Sequence, residues 1–151
     1  MGPNEKAFLD MLAVSEGTAH LGDRGYNVLV GGGLFEGYAH HPGVRVALPR
    51  KGEAPLYSTA AGRYQFRLST WNDLAQRLGL GDFSPAAQDR ACLELIRERN
   101  ALLDVQAGRI AEAIGQCRTI WASLPGAGYG QRENALTTLL AAYTQAGGVL
   151  V

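Results

Sequence analysis

The sequence predicts an α+β fold, in which one helix leads into a small antiparallel sheet lobe and then into a larger helical lobe, with a groove between the lobes. Three observations carry this reading. Apolar residues recur at helical spacing over residues 4–16. They do so again over most of the chain after residue 67. Between these, residues 17–66 change character: glycines stand at 17, 22, 25, 31, 32, 33, 37, 43, 52 and 62, and prolines at 42, 49 and 55. The 151 residues fit one domain with a sizeable core, a sheet lobe over about 17–66 and a helical lobe over about 67–148. No internal repeat or low-complexity linker divides them.

The elements follow in order. In residues 4–16, Ala7, Phe8, Met11, Leu12 and Ser15 share one helix face, Asn4 is placed to cap the start, and Gly17 ends the pattern. Three β-like runs follow at 26–30, 44–48 and 62–66, separated by long loops of the kind that carry function more often than not. Leu68, Trp71, Leu74, Ala75 and Leu78 mark a helix stopped by Gly79. Ser84-Pro85 is a strong start signal, a cap residue followed by proline in the first helical position, and that helix runs to about Arg99. A short helix over 101–107 ends at Gly108. Another covers 109–121, with Ile110, Ala113, Ile114, Cys117 and Trp121 inward. Residues 125–130 are too rich in glycine for regular helix. The last helix runs from about Glu133 to Ala146 and buries Leu136, Leu139, Leu140 and Tyr143.

Composition excludes several classes. Apolar residues make up 46% and charged residues 19%, as in folded globular chains. Fourteen basic and 14 acidic residues give no net charge, against the basic bias of a nucleic-acid binder, while neutral polymers such as carbohydrate stay open. Cys92 and Cys117 read as buried thiols rather than as a disulfide framework. No apolar run approaches the roughly 18 residues of a membrane span. Glu5, Lys6 and Asp10 interrupt the N-terminal apolar pattern, so the chain is expected to be made in the cytoplasm without a signal peptide.

The residue that stands out is Glu16, in Ser15-Glu16-Gly17, where the first helix gives way to the glycine-rich stretch. Breaking a glycosidic bond needs a proton donor for the leaving oxygen, and a carboxyl in a partly apolar setting supplies one. Leu12, Ala13 and Val14 could provide that setting; an ordinary solvated Glu is the competing reading. Hydrolytic glycosidases place a second carboxylate across the bond. Asp23, Glu36 and Glu53 are the candidates, and none has a context that marks it.

Residues 58–66, Ser58 through Phe66, set small side chains beside Tyr64 and Gln65. Small residues let a polymer approach the backbone, and Gln65 can donate and accept hydrogen bonds at once. Tyr64 or Tyr129 could stack on a sugar face, with a half-buried sheet position the alternative for Tyr64. Tyr129 lies between Gly128 and Gly130 in a loop, where it has little to pack on. Gly31-Gly32-Gly33 lacks the signature of a phosphate loop. His40-His41 reads as a surface loop rather than half of a metal site. Neither a Ser-His-Asp nor a Cys-His arrangement stands out.

Several segments taken together resemble the phage endolysins that act as lytic transglycosylases, a family with a lysozyme-like fold. They are Ala7-Phe8-Leu9-Asp10-Met11-Leu12-Ala13, Ser15-Glu16-Gly17-Thr18, Gly25-Tyr26, Val30-Gly31-Gly32, Ala61-Gly62-Arg63-Tyr64-Gln65, Asp82-Phe83-Ser84-Pro85 and the long stretch from Ile120 to Gln131. The resemblance covers about residues 6–148. It implies that Glu16 is the catalytic acid and then base, cleaving the β-1,4 link between N-acetylmuramic acid and N-acetylglucosamine with closure of a 1,6-anhydro ring and no use of water. It also implies glycan-binding or positioning roles for Gln65 and Tyr129, with Tyr64, Ser58, Asn27 and Gly128 completing the candidate set. No second carboxylate is required, because the attacking hydroxyl belongs to the substrate.

The loops near 44–57 and 125–135 correspond to two lips beside the cleft, with glycine and proline content suited to movement. Two departures stand against one member of the family: a shorter loop between Thr18 and Tyr26, and Asn27 where that relative carries an Asp. Hydrolytic phage lysozymes of another type place an Asp nine and a Thr fifteen residues after their catalytic Glu; Gly25 and Gly31 stand there in this chain. The resemblance further implies a monomer that takes peptidoglycan glycan strands, needs no cofactor or metal, binds no nucleic acid, and reaches the periplasm through a holin-type membrane protein. The gene would belong to a phage, a prophage or a bacteriocin cluster. The rival readings are a hydrolytic N-acetylmuramidase and a non-catalytic cell-wall-binding protein.

Overall fold

The computed structural model describes the whole chain, Met1–Val151. Six helices and one two-stranded antiparallel sheet make it α+β, in the order α1 (Pro3–Glu16), β1 (Val46–Arg50), β2 (Glu53–Ser58), α2 (Leu68–Leu78), α3 (Pro85–Glu98), α4 (Leu102–Ala107), α5 (Ile110–Cys117) and α6 (Leu136–Gln145). The chain forms two compact units. One joins residues 1–17 to 92–151, and the other is residues 18–91, so α3 begins in one and ends in the other.

In the first unit α1 packs on α4 and α6, and α5 packs on α4 and α6. Phe8, Leu9, Met11 and Leu12 of α1 are fully buried, as are Ile110, Ile114 and Leu124. Cys92 and Cys117 are buried free thiols, and burial pushes the Cys117 thiol up to about 12, so it stays protonated. Asn4 does not cap α1. The helix starts one residue earlier with proline, whose missing N–H is no loss there, and Gly2 is the capping residue. Asn4 instead ties distant segments: its amide donates to the Gln106 carbonyl (3.1 Å) and its oxygen accepts from Val149 N (3.0 Å). The last helix is shorter than its periodicity suggests. It starts at Leu136, which is exposed, and buries Leu139 and Tyr143.

The second unit holds the hairpin β1–β2 together with α2. Trp71 of α2 meets Phe83 edge-on (4.6 Å between ring centres) and Phe66 at 5.3 Å; Phe35 joins them at 6.0 Å from Phe83. This aromatic cluster puts α2 in the same unit as the sheet, although its sequence pattern groups it with the helices that follow. Only one of the three expected strands forms, displaced to 46–50, and it pairs with a strand over 53–58 that carries Pro55 and no period-2 burial pattern. Residues 26–30 and 62–66 make isolated bridges, Val28 with Leu34, Leu29 with Ala61 and Ala61 with Phe66. Positive φ at Gly31, Gly32 and Gln65 turns the backbone before a ladder can extend.

His41 is buried, which corrects its reading as a surface residue. Gly43 N donates to Nδ1 (3.0 Å), so the proton sits on Nε2 and is donated to the Phe66 carbonyl (2.8 Å). Burial holds its pKa below the ordinary 6.5, partly offset by that carbonyl. Protonating Nδ1 would set donor against donor at Gly43. The unfolded chain therefore binds a proton more readily than the folded one in the window below pH 6.5. Stability from this site is full above pH 6.5 and is lost as pH falls through the folded value. The melting temperature should drop on acidification from pH 7 to 5, and the drop should be smaller in His41→Gln; thermal unfolding across that range checks it.

Candidate active site

Glu16 is the last residue of α1. Gly17 adopts a left-handed conformation (φ 76°), and its N–H turns back on the carbonyls of Ala13 and Val14. This ends the helix one residue after Glu16 and fixes the direction of its side chain. The carboxyl is half-buried. Burial raises its pKa above the ordinary 4.5, and a hydrogen bond from the Ser123 hydroxyl to Oε2 (2.6 Å) draws it part of the way back. No charge is among the causes of the shift. Ser123 thus holds Oε2 as an acceptor, and the proton of the neutral acid belongs on Oε1.

Behind Ser123 lies a neutral network within the same unit. Ser15 Oγ is 2.7 Å from Ser123 Oγ. The Asn134 amide donates to Ser15 Oγ (3.1 Å) and to the Ser15 and Ser123 carbonyls (3.0 and 3.2 Å). Asn134 N also donates to the Ser123 carbonyl (2.8 Å). Sequence reasoning missed Ser123 and Asn134. The one available signal was Ser15, a polar residue on the apolar face of α1, where it is buried.

Residues 125–130 are shaped by Glu133, whose carboxylate accepts from Gly126 N (2.9 Å) and Gly128 N (3.1 Å). These two bonds lower its pKa. Gly126 and Gly128 have positive φ, which lets their two N–H groups converge on one carboxylate. Gly128 therefore has a structural use. Tyr129 is exposed, and its hydroxyl donates to the Thr119 carbonyl at 3.3 Å, leaving the ring open to a ligand.

The other predicted residues belong to the second unit. Gln65 is half-buried with φ 55°, a conformation unusual for a residue with a side chain. Its amide nitrogen donates to the carbonyls of Gly62 (2.8 Å) and Val28 (3.2 Å), so its oxygen is the group left to meet a ligand. Tyr64 is not a stacking platform. Its ring is 1% exposed, and its hydroxyl donates to Asp89 Oδ1 (2.6 Å), the oxygen that also accepts from Tyr26 (2.9 Å). Ser58 ends β2 and accepts from Ala60 N (3.1 Å). Asn27 accepts from Asp23 N (2.7 Å), closing the turn that begins at Gly22. That bond needs only an oxygen, so an amide serves as well as a carboxylate.

The three acids considered as partners are otherwise engaged or exposed. Asp23 accepts from Tyr38 (2.7 Å), Glu53 pairs with Arg50 (2.6 Å) and Glu36 is exposed. A residue that the sequence hid is Gln88, fully buried: its oxygen accepts from Arg63 N (3.0 Å) and its nitrogen donates to the Tyr26 and Phe83 carbonyls (3.1 and 2.9 Å). It binds the backbone beside Tyr64 and Gln65 to α3.

Known proteins match the chain along nearly its whole length. The endolysin of Escherichia phage P2 is 51% identical, covering 97% of this chain and 94% of its own length. The endolysin of Escherichia phage lambda is 49% identical, covering 96% and 92%. The structure of bacteriophage lambda lysozyme complexed with a chitohexasaccharide superposes with a TM-score of 0.95 at 47% identity, over 100% of this chain and 98% of that one. A second structure, lysozyme from bacteriophage lambda, gives 0.89 at 46% identity over the same shares. The endolysin family model matches residues 6–150, and with relatives at this level of identity the chain belongs to the endolysin family.

Proposed function

We propose that the chain is a peptidoglycan lytic transglycosylase used for host cell lysis. The observation that carries the reading is the chemistry around Glu16: a carboxyl raised by burial, held by one hydroxyl, with no charged group contributing. A raised carboxyl suits a proton donor near neutral pH. A hydrolase would ask for a second carboxylate near it, to act as nucleophile or to activate water. A relative complexed with a chito-oligosaccharide supports an amino-sugar polymer as substrate.

In this reading Glu16 Oε1–H protonates the oxygen that leaves C1 of the muramic acid. The resulting carboxylate takes the proton of the C6 hydroxyl, O6 closes on C1, and the 1,6-anhydro product departs with Glu16 protonated again. Ser123 stabilises the carboxylate between the two proton transfers. The Gln65 oxygen and the Tyr129 ring position the glycan. The enzyme acts as a monomer in the periplasm, after release from the cytoplasm through a holin-type pore.

Digestion of purified peptidoglycan should give muropeptides ending in anhydro-muramic acid, read by mass spectrometry. Products with free reducing ends would assign the chain to the hydrolytic muramidases. No release of soluble products, with binding to the sacculus retained, would make it a non-catalytic wall-binding protein.

A further inference from the structure

With Glu16 ionised, the hydrogen bonds behind it can run in only one direction. Two of the three oxygens around the Asn134 side-chain amide are backbone carbonyls, those of Ser15 and Ser123, which only accept. The group facing them is therefore the NH2, and it also donates to Ser15 Oγ. At the other end the Ser123 hydroxyl has one proton, and Glu16 Oε2 takes it. The 2.7 Å contact between the two serine oxygens must then be filled by the Ser15 proton, donated to Ser123. The chain reads Asn134 to Ser15 to Ser123 to Glu16: the amide donates, each serine accepts from the member behind and donates to the one ahead, and the carboxylate accepts.

We propose that Asn134 and Ser15 are positioning residues that act on Glu16 through Ser123, forming a polarised relay that favours the carboxylate and fixes which of its oxygens accepts. The proposal rests on the assignment of Glu16 as the acid and base. Donating hydrogen bonds in series strengthen one another, and in a half-buried setting the effect is not swamped by water. Ser15 is buried, and its hydroxyl lies between two neutral partners, the Asn134 amide that donates to it and the Ser123 hydroxyl that it polarises. Asn134 stands just before α6, and its main-chain N–H also holds the Ser123 carbonyl, so the relay and the segment carrying Ser123 are fixed by one residue.

The test is the titration of Glu16 itself, followed by carbon-13 NMR of its carboxyl in the full chain without substrate. Glu16→Gln identifies the resonance. Ser123→Ala should move the titration up by about one to two pH units, as expected for loss of a hydrogen bond to a charged group. Ser15→Ala, a small change that leaves the direct bond intact, should move it up by about a few tenths of a unit. Asn134→Leu should also move it up, and neither Ser15→Ala nor Asn134→Leu should move it further in the Ser123→Ala background. An unmoved titration in Ser15→Ala, or a shift that persists without Ser123, would overturn the relay. Because no turnover is measured, the relay can fail while anhydro products are still made, and the functional reading can fail while the titration behaves as described. In active enzyme the alkaline limb of kcat/KM should move with the titration.

Discussion

Glu16→Gln should abolish lysis and leave the fold intact. The amide keeps the shape of the carboxyl, and its oxygen can still accept from Ser123, but it has no acidic proton to transfer to the leaving oxygen and is too weak a base to take one back. Loss of a general acid costs about 10²–10⁴ in rate, and in the proposed reaction the same group serves twice. The stability consequence has a definite sign. Burial raises the Glu16 pKa above 4.5, so above pH 4.5 the folded chain binds the proton more tightly than the unfolded one, and stability falls as pH rises through that window. The variant escapes this penalty. At pH 7 it should melt at the same temperature as the parent or higher, and the difference should grow from pH 4.5 upward. Lysis assays on permeabilised cells alongside thermal unfolding check both halves. Residual lysis near the parental rate, or a less stable variant at pH 7, would contradict them.

Gly62→Ala should unfold the second unit more readily than any conservative change on its surface. Gly62 has φ 84°, and a Cβ there would lie 2.4 Å from Gln88 Oε1 and 2.8 Å from the Phe83 ring. Left-handed backbone costs an alanine about 1–2 kcal/mol, and forcing a methyl into a filled core adds about 1–3 kcal/mol. The residue pushed aside is Gln88, which satisfies Arg63 N and the Tyr26 and Phe83 carbonyls in the interior. Gly62 also supplies the carbonyl that orients the Gln65 amide. The substitution should therefore lower the urea midpoint by an amount equivalent to about 2–5 kcal/mol and weaken activity as well. Gly81→Ala is the control: nothing lies near its Cβ and its φ is not positive, so its midpoint should stay within about 0.5 kcal/mol of the parent. Equal midpoints for the two variants would contradict the packing argument.

Local rules made the helices legible. Gly17, Gly79 and Gly108 stop α1, α2 and α4 where a glycine after an apolar stripe should, and each has positive φ. Ser84 caps α3, its hydroxyl accepting from Ala87 N at 3.2 Å. The sheet lobe was harder because its order comes from side chains distant in sequence. The β-branched and aromatic run 26–30 reads as a strand, but glycine turns and the demands of Asn27 and Gln88 bend it into a loop. Tyr64 looks like a sugar platform in a sequence of small residues, and only Asp89, 25 residues later, reveals it as core.

At the candidate site the same limit applies. Glu16 was visible because a helix end and a glycine frame it. Ser123 and Asn134 were not, being 107 and 119 residues from the groups they hold. Nothing in a single sequence marks one serine in an Ala-Ser-Leu stretch as the partner of a carboxyl near the other end of the chain.

In the proposed reaction the substrate's own hydroxyl, and not water, attacks C1 while Glu16 moves the proton. Digestion of peptidoglycan in water enriched in oxygen-18, followed by mass spectrometry of the muropeptides, tests it directly. The expected products are anhydro-muropeptides carrying no heavy oxygen; incorporation of one oxygen-18 at the new muramic acid terminus would assign the attack to water and overturn the reaction proposed for Glu16.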